Sequence, residues 1–373
     1  MNQSKPNFIL YKQVGHDLIM SNIHNFNRAT ITYDTAESTD QNIENKTILI
    51  IGGSGSLGNA LTRRLINQNK IVIYSRGEMA QWNMRQKYKH DLDKLSFVIG
   101  DVKNKDALVK TIFTHRPNII ILAAAMKHID ICESQISECI DTNVDGIGHV
   151  IDFVIQQHEM GLVPFLECLL FVSTDKACSP VNVYGMCKCI SERRMVNNSQ
   201  RIKSENFKMV SVRYGNVLAS NGSLFQKLNL IGSNDEYSYF GITDERMTRF
   251  FMSLDQSVTL IINSVLYGPN GHICIPKIPS YSIMDIIKFY SVKYGKPIKN
   301  IGIRPGEKIH ESMINEVEGL RTSEHKHFMT IGPDHGNIDP HRQGISYCSS
   351  DHVQPIYHDG VYIFDKYLPQ DEI

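Results

Sequence analysis

Six short runs of almost continuously apolar residues, each separated from the next by a stretch with helical periodicity, constrain the fold of this chain more than any other feature. The runs are KTILIIGG, KIVIYS, LSFVIGD, NIIILAAA, ECLLFVST and FKMVSVRYGNV, starting at Lys46, Lys70, Leu95, Asn118, Glu167 and Phe207. A strand with one wet face alternates apolar and polar residues; a strand apolar at nearly every position is covered on both faces. Between the runs, Leu57–Asn67, Glu78–His90, Lys105–His115, Ile129–Glu159 and Val183–Arg201 read as helices. Strand and helix in alternation, joined by right-handed crossovers, predict an α/β fold with a doubly wound parallel sheet. After about residue 218 the alternation fades into pieces such as GHICIPKI and YSIMDIIKFYSVKYG. The expected organisation is therefore a polar extension over 1–45, a nucleotide-binding domain over 46–218, a smaller mixed α/β substrate-binding lobe over 219–332, interleaved with the first, and a tail over 333–373.

Charge and composition exclude several function classes. The 39 basic and 39 acidic side chains cancel, which gives no global attraction to nucleic acid or to an anionic membrane. No apolar run is long enough to span a bilayer, and MNQSKPNFILYKQ lacks the basic start and apolar core of a secretory signal. The eight cysteines form no C-x-x-C pair and read as reduced thiols of a cytoplasmic protein. His325, His327, His335, His341, His352 and His358 have no compact metal spacing, so no metal is expected.

The first apolar run ends in IIGGSGSLG. Gly52 suits a tight turn, Gly55 a close approach of a pyrophosphate, and Gly58 close packing of helix on strand. Ser54, Ser56 and Leu57 belong to the same cradle, where free amides at the helix start meet phosphates. The second run ends in Ser75-Arg76, where a ribose-binding acid would mark NAD. An arginine fork there suits a 2′-phosphate and favours NADP over NAD. Asp101 and Val102 follow the third strand near the adenine edge, and Ala123, Ala124 and Ala125 follow the fourth, where small side chains let the cofactor pass.

The fifth run leads into STDKACSPVNVYGMCK. Tyr184 and Lys188 are spaced i, i+4 on one helical face. This predicts an ammonium that lowers the phenol pKa and holds the cofactor ribose, so that Tyr184 acts as a base with Thr174 assisting. That set supports hydride transfer from an alcohol carbon to nicotinamide. Asp175 and Lys176 add an acid and a base, which loss of water from a sugar requires and simple oxidation does not.

The G-x-x-G-x-x-G turn resembles that of the extended short-chain dehydrogenase/reductases, whose fold is Rossmann-type. The stretches YSRGE, AAAMKH, TNVDG, STDKA, NVYGMCK, VRYGNVLASNGS, TRFFMSLD, IPKIPS and IRPGEKIHE together resemble the inverting UDP-N-acetylglucosamine 4,6-dehydratases over about residues 46–315. The resemblance implies oxidation at sugar C4 by Tyr184 and Lys188, removal of the C5 proton by Lys176, and protonation of the leaving C6 hydroxyl by Asp175. It implies a UDP-4-keto-6-deoxy-hexosamine of L-arabino configuration, made for nucleotide-sugar and polysaccharide biosynthesis. It places Lys127 and His128 at the sugar pocket, with Lys127 also near the cofactor. Arg213, Asn216 and Ser220 fall on the uracil or substrate side, with further contacts from Arg249, Lys277, Arg304 and Glu307. It also implies a homo-oligomer built on the helical regions Ile129–Glu159 and Val183–Arg201. Three readings compete with this one: a UDP-hexose 4-epimerase, a UDP-glucose 4,6-dehydratase, and an NADP-sensing regulator without turnover.

Overall fold

The computed structural model describes residues 41–218, 220–333, 344, 346–358 and 361–364. Most of the N-terminal extension lies outside the described residues, as do His335, His341 and part of the tail. The six apolar runs become the parallel strands β1 (Thr47–Ile51), β2 (Lys70–Ser75), β3 (Leu95–Ile99), β4 (Ile119–Leu122), β5 (Cys168–Val172) and β6 (Lys208–Val212). Ile48, Leu49, Ile50 and Ile51 are all fully buried, as expected of a strand covered on both faces.

Beyond Val212 follow β7 (Asn216–Val217), β8 (Phe240–Ile242), β9 (Thr248–Met252), β10 (Ile273–Ile275), β11 (Ser280–Ser282), β12 (Ile298–Asn300), β13 (Ser312–Ile314), β14 (Thr322–Glu324) and β15 (Met329–Ile331). The main sheet has nine strands in the order β14-β15-β10-β6-β5-β4-β1-β2-β3. β10 extends the parallel set beside β6, while β15 and β14 close that edge antiparallel. The expected doubly wound α/β fold is therefore present, and strand order reverses between β1 and β4, the place where such sheets open a ligand crevice.

Helices α1 (Ser56–Leu65), α2 (Glu78–Lys87), α3 (Lys105–His115), α4 (Ile129–Ser134), α5 (Ile136–Ile140), α6 (Gly146–Glu159), α7 (Val183–Ser199), α8 (Leu224–Ser233), α9 (Leu254–Tyr267) and α10 (Ile283–Tyr294) supply the covering layers. Ala60, Leu61 and Leu65 of α1 share one core with Leu260 and Ile261 of α9. Leu108 and Ile112 of α3, Ile147 to Ile155 of α6, and Met195 of α7 fill the opposite face. A third core around Phe225, Phe240, Phe251, Ile286 and Tyr290 belongs to the smaller lobe. Among the described residues no helix is long and apolar enough to cross a membrane.

Two elements depart from the sequence reading. The single helical region expected over Ile129–Glu159 is broken into α4, α5, a π-turn (Asp141–Asp145) and α6. The fully buried Asn143 lies in that turn. Its amide side chain accepts from Met126 N at 2.9 Å and donates to Met126 O at 2.8 Å. The widened turn thus seats an amide that holds the chain after β4, a common use of a π-bulge. The long strand expected over 207–217 ends at Val212, and Asn216–Val217 pairs instead with β9. Arg213 is drawn into a buried ion-pair cluster, and a Cβ on Gly215 would lie 2.6 Å from the Phe250 Cβ, so the chain turns away between the two sheets.

Candidate active site

The C-terminal ends of β1, β4 and β5 and the chain beyond β6 open into one cavity of about 770 Å³. Gly52 turns the chain at φ +88°, and a Cβ there would lie 2.6 Å from Ala124 N. A Cβ on Gly58 would lie 2.1 Å from Gly53 O, so only glycine lets α1 pack this closely on the turn. At Gly55 the nearest atom to such a Cβ is Gly52 O at 3.5 Å, leaving that backbone open to the cavity. No side chain caps the first turn of α1. Its free N–H groups and the open backbone fit the pyrophosphate of a dinucleotide. Ser54, Ser56 and Leu57 line the same wall.

At the end of β2, Ser75 and Arg76 line the cavity, and Ser75 Oγ accepts from Gln81 Nε2 at 3.0 Å. Arg76 is 57% exposed and lies 3.6 Å from Asp101 Oδ2 and 3.9 Å from Glu138 Oε1. Lys103 sits closer to Glu138, at 2.8 and 2.9 Å from its two oxygens. The Tyr74 hydroxyl donates to Asp101 O, and burial with the Asp101 charge pushes the phenol up to about 12. Val102 and Ala123–Ala125 complete this part of the wall, and Asp101 stands just behind it.

Thr174, Lys176, Tyr184 and Lys188 converge on the cavity from the end of β5 and the first turns of α7. The Asn182 side chain caps α7, accepting from Gly185 N at 2.7 Å, and so sets the helix that carries Tyr184. Asp175 is fully buried behind the wall. Its Oδ1 accepts from both Thr174 Oγ1 and Lys176 Nζ at 3.0 Å, while its Oδ2 has no hydrogen-bond partner. Asp175 therefore reaches the cavity only through its two neighbours. Burial alone would lower the Lys176 ammonium, but the Asp175 and Glu311 carboxylates outweigh it and hold its pKa above the ordinary lysine value.

The expected effect of Lys188 on Tyr184 is not what the structure shows. Burial raises the Tyr184 phenol above its ordinary value, opposed by a hydrogen bond with Thr174 and reinforced by the Asp175 charge. Lys188 shares the helical face but donates to Val172 O at 2.9 Å and lies 4.5 Å from the Phe171 ring centroid. Its own burial lowers it to about 8.

The lobe side of the cavity is formed by Asn216, Ser220 and the chain to Leu224. Asn221 ties this segment to the floor: its N–H donates to Ser56 Oγ at 3.0 Å, and its carbonyl accepts from Lys127 Nζ. His128 lies under Gly222, whose Cβ would come within 2.6 Å of the imidazole. Lys127 and His128 thus line the cavity.

A family model described as polysaccharide biosynthesis protein matches residues 48–333. A Campylobacter jejuni protein named UDP-N-acetylglucosamine 4,6-dehydratase (inverting) is 37% identical over 302 residues, covering 79% of this chain and 85% of its own length. The chain belongs to this family. Within it, a Rickettsia canadensis protein named UDP-glucose 4-epimerase is 36% identical over 283 residues, covering 73% of this chain and 79% of its own. The X-ray structure of Pen from Bacillus thuringiensis superposes with a TM-score of 0.73 at 27% identity, covering 83% of this chain and 93% of that one.

Five residues that the family resemblance assigned to substrate lie away from the cavity wall. Arg213 is fully buried between Glu192 and Glu318, bonded to both carboxylates and to Met313 O. Arg249 donates to the carbonyls of Thr248, Lys308 and Ile309, bracing the chain around Ile309. Lys277 donates to Glu324 Oε1 at 2.6 Å and to His325 O at 3.1 Å. Arg304 and Glu307 pair with each other at 2.7 Å on an outer loop. A charge in a sequence does not reveal whether its partner is a ligand or another side chain; here these are protein partners. The sequence reading missed Asn143, Asn221, Glu311 and Tyr214, the last of which lines the cavity. All four stood in quoted stretches, TNVDG, VRYGNVLASNGS and IRPGEKIHE, with no role attached. Among the described residues no group of three or more His, Cys, Asp or Glu could hold a metal ion.

Proposed function

We propose that this chain is a UDP-N-acetylglucosamine 4,6-dehydratase that inverts C5 and yields UDP-2-acetamido-2,6-dideoxy-β-L-arabino-4-hexulose. The observation that carries the reading is Lys176 on the cavity wall, 3.0 Å from the buried Asp175 and beside Thr174 and Tyr184. An epimerase has no use for this second acid–base pair. The name of the Campylobacter jejuni relative supports the same substrate.

A nicotinamide cofactor bound in the glycine cradle supplies reversible hydride transfer. Tyr184 and Thr174 form the path along which the C4 hydroxyl proton leaves, and Lys188 holds the floor beneath them. Once C4 is a ketone, the C5 hydrogen is acidic because the ketone delocalises the charge left behind. Lys176 Nζ is the wall group that takes this proton. The C6–O bond breaks and the hydroxyl departs as water, taking a proton from Asp175 through Thr174 or Lys176. As an ammonium–carboxylate pair, the two side chains hold the right number of protons in the wrong places. Moving one proton across 3.0 Å creates an amine base and a carboxylic acid together. Return of the hydride to C6 and of a proton to the opposite face of C5 gives the inverted 6-deoxy product.

NADP is the proposed cofactor: β2 ends without a carboxylate, and Arg76 is free to turn because Lys103 takes up Glu138. The assembly proposed is a homo-oligomer in the cytoplasm, since α5 and α7 leave Ile136, Ile140, Met186 and Ile190 exposed as an apolar face. The deciding experiment is incubation with UDP-N-acetylglucosamine in deuterated water, read by NMR. A C6 methyl, a C4 ketone and deuterium at an inverted C5 are expected, and Lys176→Ala should abolish all three while cofactor still binds. Formation of UDP-N-acetylgalactosamine would establish the epimerase instead. Cofactor binding without turnover of any UDP-hexose would establish the regulator.

A further inference from the structure

Glu311 is a buried carboxylate that the steps above do not use. It is 3% exposed, with Oε1 3.6 Å from Lys176 Nζ. Its Oε2 lies 3.5 Å from Lys308 Nζ and makes no hydrogen bond. Its backbone is pinned by Ser349: Glu311 N donates to Ser349 Oγ at 2.9 Å, and Ser349 N donates to Glu311 O at 2.8 Å. Ser349 Oγ in turn meets Thr248 Oγ1 at 2.7 Å, so the carboxylate is set by β9 and by a segment beyond the family match. The charged and titratable groups around the Lys176 ammonium are Asp175 on its own turn, Glu311, and Arg249 from β9. Lys308 faces Glu311 from the other side, and Tyr184 of α7 faces Asp175.

The proton balance of the reaction gives Glu311 a task. To serve as the acid Asp175 must already carry a proton, so it is neutral when Lys176 takes up the C5 proton and regains its charge only on protonating the leaving hydroxyl. With Asp175 neutral, Lys176 would be an unpaired buried cation, a costly state. Glu311 is the second carboxylate beside Lys176, and no step above hands it a proton. We propose that Glu311 is a positioning residue for Lys176: it holds Nζ at the cavity wall and balances the charge Lys176 acquires on taking the substrate proton. This rests on the dehydratase reading, and no atom of Glu311 lies on the cavity wall.

Glu311→Gln keeps the shape and removes the charge. The measurement is kcat and KM for UDP-N-acetylglucosamine across pH, with deuterium incorporation at C5. The expected result is a fall in kcat of about tenfold or more with KM little changed. The pH limb set by the Lys176 ammonium should move down by about 1–3 units, because an opposite charge at this range shifts a pKa by that much. Glu311→Asp should restore most of the limb. A limb that stays in place while only thermal stability falls would overturn the proposal. Should Glu311→Gln fail to fold, Lys308→Met serves: it removes the cation competing for Glu311, and the limb should move up. No movement there overturns the proposal equally. Failure of the wild type to dehydrate the sugar would instead sink the underlying reading, so the two failures are distinguishable.

Discussion

Replacing Arg213 by methionine separates a substrate contact from a structural brace. The guanidinium makes five hydrogen bonds, four to the Glu192 and Glu318 carboxylates and one to Met313 O, at 2.6 to 3.0 Å. All three side chains are buried, so the variant leaves two carboxylates without their cation. Removing one partner from such a buried network costs about 3–5 kcal/mol. With an unfolding entropy of about 2.1 cal/mol/K per residue, the melting temperature of the 373-residue chain should fall by about 4–6 °C. The pH dependence has a definite sign. Burial would raise the Glu318 carboxyl, but hydrogen bonds and charge from Arg213 outweigh it and hold the group below its ordinary value. In the wild type that contribution is present above the unfolded carboxylate value and is lost as pH falls through the lower folded one. In Arg213→Met the unpaired carboxyls rise instead, so the variant recovers part of its deficit as pH drops from about 7.5 to 5.5. Thermal unfolding followed by circular dichroism at both pH values, with KM on the folded variant, makes the test. A melting temperature within about 1 °C of wild type together with a raised KM would refute the brace and restore the substrate contact.

Three further outcomes are expected. Arg76→Ala should weaken NADPH binding by about 10- to 100-fold, the worth of a charged hydrogen bond, and leave NADH nearly unchanged; tighter wild-type binding of NADH than NADPH, by fluorescence titration, would refute the preference. Lys188 is lowered from 10.5 to about 8 by burial, so the folded chain sheds this proton before the unfolded chain does. Wild-type stability from this group should therefore rise by roughly 3 kcal/mol as pH climbs from 8 to 10.5, and Lys188→Met should lack that rise in denaturant titrations without added cofactor. Ile140→Asp with Ile190→Asp should convert an oligomer into a 42.4 kDa particle by light scattering; a wild type already at that mass would remove the proposed interface.

Much of the site was legible in the sequence because its parts are local. The three glycines serve a strand–turn–helix junction a few residues long, where a Cβ at Gly52 or Gly58 would collide with backbone. Thr174, Asp175 and Lys176 are neighbours along the chain, and Tyr184 and Lys188 share a helix face; Thr174, Lys176, Tyr184 and Lys188 line one cavity with Asp175 buried behind it. The continuously apolar strands fixed a sheet buried on both faces, and with it the crevice at its C-terminal edge. Only the tertiary structure decided what each distant charge pairs with. Arg213, Arg249 and Lys277 carry the chemistry of anion binding, but the fold gives them glutamates and carbonyls first. Glu311 reaches Lys176 because β13 packs on the Asp175–Ala177 turn and Ser349 pins the Glu311 backbone, a meeting that no local pattern records. Packing likewise raises the Lys176 ammonium and the Tyr184 phenol, the latter against what its spacing from Lys188 suggested. Backbone turns depend on residues adjacent in sequence; ionisation depends on burial and on charges brought together across the fold.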